Sequence, residues 1–247
     1  MLNLELFWLT TSVGQFSAMT DVNWRVDSED VCPVCKLKKY KTTPIPELRV
    51  RYAQKKWPDI IYCINSQVVS ERVINDLVDN NITGFEAVKM DFVEVTPKNK
   101  PAPMPYYCLQ LTGHATFRPL LPPDIVCHTC PICGSWDSGE TLSNGMKVFY
   151  YLYEILSWDG QDIVRARREQ SSLVCCSRRV IELARKKEWT NFEFLRPDIL
   201  NVRVRHTEAN WEELLLMDLK KECLKYCPQN NIPIPEFLLQ VPDVLEG

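Results

Sequence analysis

The stretches VVSERVINDLVDNNITGFE (68–86) and CCSRRVIELARKKEWTNFE (175–193) align without gaps and share seven of nineteen residues. Serine, arginine, threonine and glutamate recur in register together with the apolar positions. A recurring strand–helix–strand pattern alone requires only the apolar matches. The two stretches therefore predict an internal duplication.

The match continues upstream of both stretches in the same order. Trp57-Pro-Asp-Ile-Ile corresponds, with a small insertion, to the segment from Trp158 to Val164. Further upstream, CPVC at 32–35 corresponds to CPIC at 130–133. Each copy thus contains a CPxC motif, a Trp/Asp pair, a strand, a serine-capped helix and a second strand.

Local patterns predict the elements of the first copy. The apolar run 60–64 and the segment 85–95 are typical of strands. Ser70 is expected to cap a helix that buries Val73, Ile74 and Leu77 on one face and ends near Asn80.

We predict an α+β fold with two pseudo-repeats, each strand–helix–strand, clamped by a structural zinc ion. A capping box at Asn210-x-x-Glu213 predicts a helix to about Tyr226, and the proline-broken segment after it is expected to be extended. The helix face is expected to contain Trp211, Leu214, Leu215, Met217 and Leu224. The predicted layout is a single domain, 1–247, with pseudo-repeat 1 at about 20–95, a Pro-rich linker at 96–105, pseudo-repeat 2 at about 106–200 and a C-terminal helical tail at 206–247.

The composition narrows the function classes. The chain is 45% apolar and 25% charged, which is the balance of a globular protein. A net charge of −3 and a pI near 5.7 disfavour a nucleic-acid binder. The start lacks a secretory signal, and no apolar run approaches the roughly 18 residues that span a bilayer. We therefore expect a cytoplasmic protein that does not contact membranes.

The cysteines predict a metal site. Without a secretory signal, CxxC pairs are expected to be metal ligands and not disulfides. Each CPxC turn supplies two corners of a tetrahedral zinc site. The sequence therefore predicts one structural zinc ion per chain, held by Cys32, Cys35, Cys130 and Cys133. Four thiolates close the coordination shell, so this metal is not expected to be catalytic.

Two neighbours of the second motif leave its ligand set open. Cys127 forms another CxxC pair with Cys130, and His128 is a possible ligand. We favour Cys130 and Cys133 because they repeat the CPxC form and because Gly134 suits a tight turn. A redox role is disfavoured because no helix follows either motif. The other cysteines that the sequence places in apolar runs or on the tail helix are expected to pack as small apolar side chains: Cys63, Cys108, Cys175, Cys176, Cys223 and Cys227.

Common catalytic motifs are missing from the sequence. It contains no GxGxxG, P-loop, GxSxG or HExxH pattern. His206-Thr-Glu208 has the HxE form of zinc deaminases but lacks the PCxxC that accompanies it. The sequence neither supports nor excludes a catalytic thiol such as Cys63 paired with His114. We expect no enzyme and no small-molecule substrate.

Taken together, the motifs resemble the double-CxxCG motif family of bacteria, which is grouped with immunity proteins of polymorphic toxin systems. The resemblance covers most of residues 20–196 and leaves the tail outside. Lys36 stands where the first motif of the family has Gly, and Trp189-Thr190 replaces a small or Gly-containing turn. The matching segments are Asn23-Trp24-Arg25, Cys32-Pro-Val-Cys35, Leu121-Pro-Pro-Asp124, Cys130-Pro-Ile-Cys133-Gly134, Asp162-Ile-Val, Ser177-Arg-Arg-Val-Ile and Thr190-Asn-Phe-Glu193.

The resemblance implies an antitoxin that acts in the producing cell during interbacterial competition, including competition by type VI secretion. Such a protein binds a cognate secreted toxin, expected to be a nuclease, and blocks its active site. A mildly acidic inhibitor suits a basic nuclease, because complementary charge speeds encounter. The alternative is a zinc-ribbon-like nucleic-acid-binding or regulatory adaptor, for which the basic stretch 178–187 is the best support.

Overall fold

The computed structural model describes residues 5–11, 19–36, 38–51, 57–63, 66–96, 104–119, 128–133, 136–137, 153–168, 171–196, 202–230 and 233–242. Within these ranges the fold is mixed α+β, as the sequence predicts. The strands form a closed barrel, an open six-stranded sheet and a two-stranded ribbon. No helix in the described ranges has the length and apolar character needed to cross a membrane.

The barrel is built mainly from the first half of the chain, here residues 1–96, and takes β7 from the second half, which begins at residue 104. Its strand order is β3-β2-β4-β5-β7-β6. It closes because the ends of β3 and β6 pair in parallel, residues 47–51 with residues 91–96. Its strands are β2 (Met19–Val31), β3 (Lys38–Arg51), β4 (Ile60–Cys63), β5 (Val68–Ser70), β6 (Phe85–Thr96) and β7 (Tyr106–Leu111). The predicted strands of this half are thereby confirmed.

The open sheet contains mainly strands of the second half, in the order β11-β8-β12-β13-β1-β14. Its strands are β1 (Leu6–Thr11), β8 (Gly113–Pro119), β11 (Tyr153–Trp158), β12 (Ile163–Arg168), β13 (Ser171–Ser177) and β14 (Phe192–Leu195). The two-stranded ribbon pairs β9 (His128–Thr129) with β10 (Trp136–Asp137).

Barrel and open sheet follow the same strand order, and their registers correspond. In each, the second strand of the order runs parallel to the third, and the other neighbouring pairs between the first and the sixth strand are antiparallel. Each sheet also contains one strand from the other half, because β1 lies between β13 and β14 while β7 lies between β5 and β6. Corresponding pairs are Val69–Tyr107 with Cys176–Phe7, Ser70–Tyr106 with Ser177–Leu6, and Phe85–Leu111 with Phe192–Thr11.

The two matched helices are α1 (Glu71–Asp79) and α2 (Arg178–Lys186). The Ser70 hydroxyl accepts a hydrogen bond from the Val73 amide and caps α1, which ends at Asn80 as predicted. Ser177 stands at the same position of α2 without a side-chain capping bond. Both helices bury one apolar face, and the predicted Val73, Ile74 and Leu77 are all buried.

The tail differs from its prediction in three places. Helix α3 (Trp211–Tyr226) forms as expected, but Asn210 makes no side-chain capping bond because its backbone is not in the extended cap conformation. Leu224 was expected on the apolar face and is 46% exposed. The segment after α3 is not extended throughout, since it forms a 3₁₀ turn (Pro228–Asn230) and the short helix α4 (Glu236–Leu239).

One large core is shared by both halves. It joins the outside of the barrel wall and one face of the open sheet to α1, α2 and α3, with Phe7, Ile60, Val73, Ile163 and Phe194 among its buried members. Smaller apolar clusters fill the barrel interior and cover the outer face of the open sheet. Burial of apolar side chains on this scale is the main stabilising contribution to the fold.

Asp59 is the buried centre of a polar cluster that joins the two halves. Its carboxylate accepts from the Ser70 hydroxyl at 3.0 Å, from Arg72 Nε at 3.1 Å, and from the Thr190 amide at 2.8 Å. Arg72 also donates to the carbonyl oxygen of Lys187 at 3.1 Å. The partners of Asp59 therefore come from both halves.

Asp162 has the corresponding set of partners in the opposite direction. It accepts from the Ser177 hydroxyl at 2.7 Å, from Arg179 at 2.8 Å, and from the Thr83 amide at 3.2 Å. Arg179 also donates to the carbonyl oxygen of Asn80 at 3.1 Å. Each aspartate thus binds the serine and arginine of its own half and the threonine of the other half.

Candidate metal centre

The first CPxC motif is the turn that connects β2 to β3. Cys32 directly follows β2, residues 33–35 form the turn, and the Lys36 amide donates to the Cys32 carbonyl at 3.0 Å. Lys36 adopts a φ of +60°, in the left-handed region that glycine enters most readily. Its ammonium group folds back and donates to the Pro33 carbonyl at 2.8 Å.

The second CPxC motif connects β9 to β10 in the same manner. Cys130 directly follows β9, and residues 131–133 form the turn. Gly134, for which the sequence suggested a positive φ, lies outside the described residues. Lys36, at the matching position of the first motif, takes that conformation despite its side chain.

All four predicted ligands come together. The Cys32 and Cys130 sulfurs are 3.6 Å apart, and the Cys35 and Cys133 sulfurs are 3.4 Å apart. All four sulfur atoms lie within 4.8 Å of one another. The close contacts thus run between the two turns, which are 98 residues apart in the sequence.

The dimensions of this cluster fit a tetrahedral zinc ion. Zinc–thiolate bonds of about 2.3 Å place the sulfurs of a tetrahedron about 3.8 Å apart. The observed separations lie close to that value. Four thiol donors are the ligand set of closed structural sites. The residues present therefore suit zinc, with Cys32, Cys35, Cys130 and Cys133 as the ligands.

Backbone amides of each turn point at its first cysteine. The amides of Cys133 and Ile132 bind the Cys130 sulfur and lower the pKa of this thiol. The amides of Cys35 and Val34 act on Cys32 in the same way, but burial and the neighbouring thiols raise its pKa overall. Such amide–sulfur hydrogen bonds favour the thiolate form, which is the form that binds metal.

The structure describes only some of the other cysteines and histidines that the sequence raised as candidates. Cys127 lies outside the described residues, and of His128 only the backbone is described, in β9. Cys63 ends β4, and its side chain also lies outside the description, so its pairing with His114 stays untested. The remaining cysteines are buried as the sequence predicts: Cys108, Cys175, Cys176, Cys223 and Cys227.

Among the described residues, no cysteine lies with His206 in a group that could hold a metal ion. The His206 ring packs edge-on against Phe194, with ring centroids 4.9 Å apart. Burial in this contact lowers the pKa of His206, which favours the neutral imidazole. The HxE pattern is therefore part of the packing beside β14.

Sequence reasoning missed the role of the recurring polar residues. Asp59, Arg72 and Thr190 were recognised as matching positions, but not as partners in one cluster. The signal was present, because the same residue types recur in register in both halves. The structure buries the aspartates and serines among them. Buried polar groups generally have hydrogen-bond partners.

Comparison with known proteins does not assign the chain to a family. A scan against protein-family models finds no match, and a search of curated proteins finds no significant match. What the fold and the site define is an α+β protein with a four-cysteine cluster suited to a metal ion.

Proposed function

We propose that the four-cysteine cluster binds one structural zinc ion per chain and joins the two CPxC turns. The observation that carries this proposal is the mutual approach of all four sulfurs within 4.8 Å. Binding at closed thiolate sites of this kind is worth on the order of 10 kcal/mol in small peptides. Because four thiolates leave no open position for a substrate, a structural metal is favoured over a catalytic one.

Metal analysis of the purified protein tests this proposal. We expect about one zinc per chain and its loss in the double variant Cys32→Ser, Cys130→Ser. The control is Cys175→Ala, a buried cysteine outside the cluster, which should retain zinc. A double variant that loads zinc like the wild type contradicts the proposal.

We further propose that the two halves are diverged copies of one unit. Support comes from the common strand order, from the corresponding registers, and from the paired aspartate clusters. On this proposal each copy begins with the strand that it contributes to the other copy's sheet. The metal then lies between equivalent turns of the two copies.

We propose that the protein is a cytoplasmic immunity protein that neutralises a cognate secreted toxin, expected to be a nuclease, by covering its active site. The resemblance to the double-CxxCG motif family motivates this function, and the paired CPxC turns are the feature that carries the resemblance. A reducing compartment suits a site made of four free thiols. The function proposed is binding, not catalysis.

Co-expression with the toxin encoded beside the gene tests this function. The protein should restore growth and co-purify with the toxin as a stable complex. A toxin of the same activity class from an unrelated locus is the control and should remain lethal. Absence of binding to the neighbouring toxin refutes the proposal.

The adaptor alternative has one observation in its favour, the exposed lysines beside the first metal turn. Lys36, Lys38 and Lys41 are exposed near Tyr40, which is 48% exposed. However, Lys38 pairs with Glu29 at 2.8 Å, and Lys36 binds within its own turn. These cations also lie close to a site that carries two negative charges with zinc bound, and they offset that charge.

The basic stretch 178–187 gives the adaptor less support than the sequence suggested. Arg178 contacts Glu182 and Glu212, and Arg179 binds Asp162. Lys187 pairs with Asp76 at 2.7 Å. Duplex binding measured at several salt concentrations distinguishes the two functions, because a nucleic-acid binder shows a steep loss of affinity with salt.

A further inference from the structure

We propose that the metal controls the order of one projecting hairpin, here called the arm, and that it is not needed to hold the two halves together. The arm comprises residues 25–31 of β2 and 38–43 of β3. This inference rests on the proposed zinc site and adds a conformational role to it. It follows from what the arm contacts and from how the halves are joined elsewhere.

Within the described part of the chain, the arm strands pair only with each other. β2 pairs with β4 at Met19 and Thr20, well before the arm begins. β3 pairs with β6 only from Glu47 onward, after the arm ends. The arm is therefore a two-stranded ribbon, and isolated ribbons of this kind are marginally stable in water.

The arm also has little apolar burial to stabilise it. Val26, Val31 and Tyr40 share one face by register and are 56%, 51% and 48% exposed. On the same face, Glu29 forms an ion pair with Lys38, and exposed pairs of this kind contribute little to stability. Neither strand pairing nor packing is thus sufficient to order the arm.

The tip of the arm is where the metal ligands lie. Cys32 and Cys35 form the turn of the hairpin, and their sulfurs contact those of Cys130 and Cys133. A metal at this point ties the free end of the arm to the turn between β9 and β10. Its removal releases that end.

The two halves are held together by contacts remote from the metal. β1 and β7 are each inserted into the sheet of the other half, with Leu6, Phe7 and Tyr106 at most 1% exposed. The Asp59 and Asp162 clusters add hydrogen bonds in both directions. Loss of the metal leaves all of these contacts intact.

Hydrogen exchange on the full-length protein, zinc-loaded and after chelation, tests the proposal. After chelation we expect amides of the arm to exchange about tenfold faster or more, while those of residues 68–79 and 173–184 change by less than about twofold. A variant with serine at all four ligand positions is the control. Its arm should exchange fast at the outset and respond no further to the chelator.

Metal content measured on the same samples separates the possible failures. If the protein binds zinc and chelation deprotects the core amides together with those of the arm, this inference is overturned and the metal site is not. The same holds if the arm stays protected after zinc is removed. Protein that is purified without zinc and has a protected arm overturns both the metal site and its proposed role.

Discussion

The barrel and the open sheet contain six strands each in the same order, yet within the described ranges only the barrel closes on itself. In the barrel the outer strands are long, with fourteen residues in β3 and twelve in β6, and their ends meet in parallel. In the open sheet β14 has four residues, and the chain continues toward α3. The difference shows that two sheets with the same strand order can differ in closure when their outer strands differ in length.

A smaller difference lies at the turns that precede β6 and β14. Gly84 has a φ of +99°, and a Cβ atom there would lie 1.9 Å from the Ile163 carbonyl oxygen. At the matching position Asn191 has a φ of +66° and donates its side-chain amide to the Ile60 carbonyl at 2.9 Å. The equivalent carbonyls of Ile163 and Ile60 therefore have different neighbours. Glycine backbone packs against the first, and an asparagine side chain donates a hydrogen bond to the second.

Substitution of these two residues by alanine should give the largest contrast between the halves. We expect Gly84→Ala to cost more than about 3 kcal/mol of unfolding free energy, because backbone must move to admit the methyl group. Asn191→Ala should cost about 1–2 kcal/mol through the lost hydrogen bond and the positive φ. Urea unfolding measures both. Equal losses of unfolding free energy in the two variants would contradict the closer backbone contact at Gly84.

The Asp59 cluster predicts that stability depends on pH in acid. Burial raises the pKa of Asp59, but hydrogen bonds from Arg72 and Thr190 outweigh burial and hold the pKa below its ordinary value of 3.8. The ionised carboxylate therefore stabilises the fold above that value, and its contribution is lost as the pH falls through the lower folded-state pKa.

Asp59→Asn should cost about 2 kcal/mol at pH 7 and make stability less steeply dependent on pH below about pH 4. Unfolding free energies measured from pH 7 to pH 3 test this, and zinc release in acid affects wild type and variant alike. Asp162→Asn is the matched variant, with a similar cost at pH 7 expected from its equivalent partners. A wild-type profile parallel to that of Asp59→Asn would contradict the prediction.

The two serines at the helix starts should give the smallest contrast. Both hydroxyls donate to the aspartate of their cluster, but only Ser70 also accepts from a helix amide, that of Val73 at 3.5 Å. Ser70→Ala should therefore exceed Ser177→Ala in cost by about 0.5 kcal/mol. Thermal unfolding of the two variants side by side measures this difference, and a larger cost for Ser177→Ala would invert the comparison.

Local features of the molecule follow from its sequence. The ends of α1, the strands β4, β6 and β7, and the four clustered cysteines are all signalled by short motifs with a direct physical meaning. Two CPxC turns at matched positions were sufficient to predict that their sulfurs meet. Most of the site could therefore be predicted from local motifs and from the match between the two CPxC turns.

Which strands pair across the two halves could not be predicted from the sequence. LFWLTT in β1 and YYCLQL in β7 occupy corresponding places but share only Leu9 and Leu109, so their exchange between sheets left no visible signal. Alternation identifies a buried strand without naming its neighbours. The tail prediction was wrong for a local reason, because Pro235 stands before the first turn of α4, where proline is compatible with a helix.

X-ray absorption at the zinc edge of the purified, full-length protein tests the metal site most directly. We predict one zinc per chain with four sulfur neighbours at about 2.3 Å and no nitrogen or oxygen in the shell. A mixed shell, fewer than four sulfurs, or protein that takes up no zinc would contradict the site in which the two turns meet.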